Sequence, residues 1–386
     1  MAKLMEEVLV RPVALLFIVI FCQHGDVRGT TKLSTLQIAL DEFYDKKVNI
    51  PDARMDAAKT VVREIEAILK PRLTKLLDLE YDITMDQNWK YTGSAFENLK
   101  VFDPDDFDIM IPFDMTHHLE RPNRKYTDSS SSPQFSFAEC QTPKTAFNFL
   151  HPANGSSKFS SWYDDIFVLD SKKVMSGFHS VLQKAVNLVN FGDKRVWIGQ
   201  DGPAMKVQAT YKDQNKEHKL KIDMVVAVSD CDRYYVAKSD KYDTAVGAKG
   251  KWRLSYSDEE KKAILSANTR GDKSKVFKLV KAFCKKDGPL AGLESYYLKT
   301  VYLHMLDKYP GQWTDTSEFF VIFLEELLTF LQTRNLPMYF LKQYNLIDNF
   351  SQNNPVTLTD MTRRLEKLLK KGEGELIKIL KRMTEK

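Results

Sequence analysis

Between Tyr91 and Phe113 the chain reads YTGSAFENLKVFDPDDFDIMIPF, and no other stretch restricts the fold as strongly. A Gly-Ser turn (Gly93, Ser94) leads into a short apolar segment. After a Pro/Asp turn, Asp106 and Asp108 alternate with Phe107 and Ile109. Strand side chains alternate between faces with a period of two, so both carboxylates point one way and the apolar pair the other. Two aligned carboxylates on a strand anchored in a core make a cradle for a hard cation such as Mg²⁺. Upstream, Gly93 permits close backbone approach, and Ser94 offers a hydroxyl and an amide to a phosphate.

A third carboxylate stands in a second strand. Residues 204–211 and 218–228 read as a hairpin joined by polar residues 212–216, and Asp223 interrupts an otherwise apolar run, IDMVVAV. A carboxylate buried there is costly unless it is paired or holds a metal, so a structural salt bridge and a functional ligand both account for it. Three carboxylates on neighbouring strands suit two-metal phosphoryl transfer, in which the ions sit ~3.5–4 Å apart. No Gly-x-x-x-x-Gly-Lys-Ser/Thr loop is present. A calcium loop at Asp103–Asp108 fails, because Phe107 holds the fifth position and no Gly holds the sixth.

The 386 residues, 43% hydrophobic and 28% charged, describe a globular chain long enough for two lobes. A helix is expected over 35–44. A long one starts at Pro51-Asp52 and kinks or breaks at Pro71, with a second piece over 72–79. On that helix Lys59, Arg63 and Lys70 share a narrow sector, either a solvated stripe or a nucleic-acid contact. Residues 128–136 are Ser-rich and read as a loop, and 171–190 as a helix. From Ser257 onward the pattern is helical: 258–267, 273–286, 290–308, 318–334 and 359–381. The expected fold is therefore α+β and bilobal. Residues 1–30 form an apolar extension, 31–250 the catalytic lobe and 251–386 a helical lobe. The formal charge is +5, and residues 361–386 alone carry nine Lys/Arg against four Asp/Glu, which points to a polyanionic partner. Cys22, Cys140, Cys231 and Cys284 are scattered, so neither a disulfide framework nor structural zinc is expected. The apolar run 13–22 has the length of a signal-peptide core, but Glu6 and Glu7 precede it and no small-x-small site follows, so it is read either as a targeting or membrane-surface segment or as a buried or dispensable extension.

The longer pattern resembles the nucleotidyltransferase core of cyclic GMP-AMP synthase and the animal cyclic GMP-AMP synthase-like receptors. The match runs from Thr92-Gly93-Ser94 to Asp106-Phe107-Asp108, then through Leu220-Lys221-Ile222-Asp223 and Trp252-Arg253-Leu254-Ser255-Tyr256-Ser257. It continues with Lys278-Leu279-Val280-Lys281 and Ser295-Tyr296-Tyr297-Leu298-Lys299-Thr300. These blocks keep the family's order over most of residues 52–350. The resemblance implies a bilobal nucleotidyltransferase fold, with Asp106, Asp108 and Asp223 binding two Mg²⁺ or Mn²⁺ ions. It implies that Ser94 holds the donor triphosphate and that Arg253, Ser255 and Ser257 contact bases and phosphates, with Glu260 nearby. Lys281 and Ser295 would bind phosphates, Tyr296 would stack a base, and Lys299 would support that segment. Lys suits triphosphate as a point cation, and Tyr offers a rigid π-face.

Two departures qualify the match. The family's first carboxylate is usually Glu, and here it is Asp106, one methylene shorter. Residues 263–274 contain neither His nor Cys, whereas the vertebrate DNA sensor carries its zinc element there. The chain thus resembles the zinc-free invertebrate receptors, which implies double-stranded RNA as activator, recognised by shape and phosphate contacts. It further implies ATP and GTP as substrates, 2′,3′-cGAMP as product in innate immune signalling, a downstream cyclic-dinucleotide receptor, and a ligand-induced oligomer. Nucleotide substrates and free thiols favour the cytoplasm. The alternative is a catalytically silent nucleic-acid- or protein-binding scaffold of the same fold.

Overall fold

The computed structural model describes residues 34–114, 160–162, 170–200, 205–213, 216–230, 233–237, 252–267, 272–285, 288, 290–347 and 355–385. The apolar run 13–22 and the Ser-rich segment 128–136 lie outside the described residues. No described helix is long and apolar enough to cross a membrane.

Ser34 caps α1 (Thr35–Phe43), its hydroxyl accepting from Gln37 N. The long helix α2 (Asp52–Tyr81) runs on through Pro71, so the break allowed for there does not occur. Ile65, Leu69, Leu73 and Leu77 form one fully buried i, i+4 row straight through the proline. Burial of that row outweighs the ~3 kcal/mol cost of an interior proline. The chain then forms β1 (Thr84–Met85), β2 (Lys90–Thr92), a single helical turn α3 (Gly93–Phe96) and β3 (Asp106–Asp114). Helix α4 (Ser171–Leu188) is capped by Asp170 and precedes β4 (Arg195–Gln200), β5 (Met205–Asp213), β6 (Lys216–Asp230), β7 (Arg233–Val236) and β8 (Arg253–Ser255).

The sheet runs β1-β3-β6-β5-β4, with β2 also on β3, and β7 joining β6 to β8. The hairpin β5–β6 forms as expected, with longer arms. Only β3 and β6 pair in parallel. Phe107, Ile109, Ile222, Met224, Val207 and Ala209 face a core built with α2 and α4. By alternation, the opposite face of the same strands carries the carboxylates.

The second lobe is helical: α5 (Ser257–Ala267), α6 (Asp272–Phe283), α7 (Ser295–Lys308), α8 (Thr316–Thr333), α9 (Pro355–Lys370) and α10 (Glu373–Glu385). One helix was expected over 359–381, but two form, because Gly372 takes a left-handed φ of +72° and ends the first. This lobe has its own core, and residues Leu36, Leu40, Phe43 and Val48 belong to it although they precede α2. Helix α1 lies against α10. Leu99 and Val101, from the segment before β3, also sit in this core, so that segment bridges the two lobes.

Candidate active site

Parallel pairing of β3 with β6 puts Asp108 directly opposite Asp223, and Asp106 opposite Lys221. Antiparallel pairing puts Thr92, the residue before the Gly-Ser turn, opposite Asp108 on the other side. Three carboxylates that are far apart in sequence thus meet on one sheet face. The turn itself presses on this group. Gly93 has φ +75°, and a Cβ there would fall 1.9 Å from Asp108 Oδ2, so the position requires glycine on both counts. Leu99 N donates to Ser94 O at 2.8 Å and closes the loop.

Burial raises the Asp108 carboxyl to about 6, and the negative charges of Asp106, Asp223 and Glu97 add to the shift. A cluster of this kind favours a bound cation. Among the described residues no three His, Cys, Asp or Glu side chains converge tightly enough to cage a metal unaided. Mg²⁺ and Mn²⁺ do not require that: one or two carboxylates suffice when phosphate oxygens and water complete the shell. The hard oxygen donors of Asp106, Asp108 and Asp223 therefore fit such an ion. Meanwhile Lys100, itself buried, holds the neighbourhood by pairing with Asp105 at 2.9 Å and Asp106 at 3.6 Å.

The residues expected to contact nucleotides divide into two groups. Ser94 is half-exposed beside the carboxylates, and Ser295 is exposed at the start of α7. Ser255 and Ser257 share a hydrogen bond of 3.0 Å, and Arg253 lies on β8 opposite Val236. Glu260, Tyr296 and Lys299 are instead joined to one another. Lys299 Nζ bonds Glu260 Oε2 at 2.7 Å and Glu97 Oε1 at 2.6 Å, while Tyr296 Oη donates to Glu260 Oε1 at 2.9 Å. Burial alone would depress the Lys299 ammonium, but Glu260 and Glu97 hold it above its ordinary range. Glu97, buried and three residues after Ser94, was missed by sequence reasoning. Its only signal was a charge among buried neighbours, Ala95 and Leu99. Lys281 is buried too and donates to Leu99 O at 3.2 Å; desolvation, with Lys100 and Lys285 nearby, brings its ammonium down to about 7.

On α2, Arg63 is exposed and Lys59 half-buried, whereas Lys70 turns inward. It pairs with Glu66, donates to Gln87 O at 2.8 Å and stands 4.9 Å over the Trp89 ring. Glu66 in turn accepts from Tyr91 Oη, which desolvation and that carboxylate together hold in its protonated form. Tyr91 O accepts from Lys261 at 2.9 Å. Helix α2, β2 just before the turn, and α5 are therefore connected through these contacts.

Two family descriptions match the chain: the Mab-21 protein nucleotidyltransferase domain over residues 95–266 and the Mab-21 protein HhH/H2TH-like domain over 272–367. Among curated relatives, cyclic GMP-AMP synthase-like receptor 3 of Stylophora pistillata is 27% identical over 90% of this chain and 98% of its own. A cyclic GMP-AMP synthase-like receptor of Tribolium castaneum is 25% identical over 77% and 79% of the two chains. One of Ctenocephalides felis is 21% identical over 74% and 73%.

Proposed function

Since this chain belongs to the Mab-21 nucleotidyltransferase family of cyclic GMP-AMP synthase-like receptors, we propose that it is a ligand-activated enzyme joining ATP and GTP into 2′,3′-cGAMP. The observation that carries the reading is the register of Asp108 against Asp223 with the Gly93 backbone pressed onto Asp108. A turn built to that tolerance brings phosphate-binding groups against the carboxylates.

Asp106, Asp108 and Asp223 would hold Mg²⁺ or Mn²⁺, which when bound activates the acceptor hydroxyl and neutralises the leaving group. Ser94 holds the donor triphosphate. Lys281 joins it by exchanging the Leu99 carbonyl for a phosphate oxygen. Asp223 lies beside the acceptor ribose, whose hydroxyl oxygen bonds to the donor α-phosphorus as the bond to the β-phosphate oxygen breaks. Pyrophosphate leaves, and the hydroxyl proton passes to water. The same chemistry, repeated on the linear dinucleotide, closes the ring. Tyr296, anchored by Glu260, offers its ring face to a base. Arg253, Ser255, Ser257 and Ser295 line the nucleotide's path. Positioning and electrostatics supply most of the acceleration.

Double-stranded RNA is the activator this reading favours, contacted by Arg63 and Lys59 on α2. Lys70 instead acts inward, through Glu66 and Tyr91, on the Gly-Ser turn. The test is incubation with ATP, GTP and Mg²⁺ or Mn²⁺ against a panel of double-stranded RNA and DNA. Cyclic product is expected with RNA, and Asp108→Ala or Asp223→Ala should lower it at least ~10²-fold. Absence of product with every activator sinks the enzyme reading and leaves a silent scaffold; synthesis that survives Asp223→Ala refutes the metal assignment.

A further inference from the structure

Two rows of side chains cross the open sheet face away from the carboxylates. In the first, Asp108 is followed by Asp223, Lys206 and Gly199 on successive strands. In the second, Asp106 is followed by Lys221, Gln208 and Trp197. Val207, Ala209, Leu220 and Ile222 are buried in the core, so by alternation Lys206 and Lys221 stand on the carboxylate-bearing face. Directly opposed side chains start ~4.5–5.5 Å apart at Cβ, so Asp106 has Lys221, and Asp223 has Lys206, one strand away. Lys221 is exposed and Lys206 half-buried. Two residues further along, Lys219 and Arg195 flank Thr210 in the next row and are exposed. Trp197, 39% exposed, ends the second row at the sheet edge.

If two nucleoside triphosphates meet here, as proposed above, the cleft must hold two polyanionic tails at once. The donor tail lies toward Ser94 and Lys281, in line with the attack. The acceptor brings a second triphosphate, which the first step does not consume, and like charges in a cleft repel strongly. Asp223 divides the two sides, and beyond it lie Lys206 and Lys221. We propose that Lys206 and Lys221 bind the 5′-triphosphate of the acceptor nucleotide, with Lys219 and Arg195 extending the site toward Trp197. Lysines, compact cations on flexible stems, suit this task. After the first bond forms, the linear dinucleotide must release that triphosphate and turn it toward the carboxylates, which a tight bidentate arginine clamp would resist.

Lysines that only balance the carboxylates would affect donor and acceptor alike, so the test separates them. With donor held saturating, the wild-type protein should use a 5′-triphosphate acceptor at about tenfold lower KM than the matching 5′-monophosphate. Lys206→Ala/Lys221→Ala should raise KM about tenfold for the triphosphate acceptor only. An equal rise for both acceptors, or for the donor, overturns the proposal. A second measurement needs no turnover and no metal. Lysine labelling by an amine-reactive reagent, read residue by residue by mass spectrometry, should slow at Lys206 and Lys221 when inorganic tripolyphosphate is added, while Lys378 labels as before. Unchanged labelling at both positions overturns the site even if synthesis is observed, and protection upholds it even if no cyclic product forms.

Discussion

Gly93 is where backbone conformation and close approach coincide, so its substitution is the most economical probe of the site. Gly93→Ala must find room for a methyl 1.9 Å from Asp108 Oδ2 and adopt a left-handed φ. Synthesis should be lost and stability should fall by ~1–3 kcal/mol, checked by product assay and chemical denaturation. Lys281 offers a pH test. Its folded-state pKa of about 7 lies below the ordinary lysine value of 10.5, so the unfolded chain binds more protons between those limits. Stability from this group therefore rises with pH through that window, and below about 7 its full charging penalty is present. Lys281→Met should stabilise the fold at pH 6 by roughly 1–3 kcal/mol after losing the bond to Leu99, with the gain shrinking toward pH 10. Denaturation curves at both pH values decide it; a gain independent of pH would mean the lysine is not charged against burial. The carboxylates themselves were legible in the sequence, since a period-two pattern assigns faces without knowledge of partners. Glu97, Lys100, Lys206 and Lys221 were not, because their roles depend on which strand or helix lies beside them.

At the level of elements, the sequence expectations erred at the two punctuating residues. Pro71 was read as a kink or a break, and the buried apolar row on either side of it holds α2 together as one helix. Gly372 was read as an interior residue, yet it takes φ +72° and separates α9 from α10. Local propensity was weighed at both positions without the packing that decides between outcomes. Gly372 gives a clean measurement because an added Cβ there meets nothing within 4 Å. Gly372→Ala should cost ~1 kcal/mol through backbone strain alone, and Gly372→Asn clearly less, read as shifts in denaturation midpoint. Equal costs for the two would show that the turn, not the left-handed residue, sets the break. The hairpin β5–β6 and most of the helices needed no such context, since their apolar periods are long enough to stand out.

For the whole molecule, the buried group Glu97–Lys299–Glu260 ties the Gly-Ser turn to both α5 and α7, and its charges are not interchangeable. Lys299→Met leaves two carboxylates facing each other in the interior and should cost ~3–5 kcal/mol. Glu97→Gln leaves the Lys299–Glu260 pair intact and should cost ~1 kcal/mol. Denaturation of the two variants distinguishes this from a simple count of lost ion pairs, which predicts a loss for Lys299→Met only twice that for Glu97→Gln. Two lobes were legible from the change of pattern near Ser257, whereas the bridge between them was not, since it is made of single charges in three separate segments. The docking of α1 on α10 was equally hidden, and it has a consequence for biosynthesis. During translation α1 leaves the ribosome long before α10 exists, and the whole sheet lobe is made in between. The sheet lobe can therefore close first, while the oily face of Leu36, Leu40 and Phe43 waits for the last helices, a window in which a holding chaperone would have its natural target.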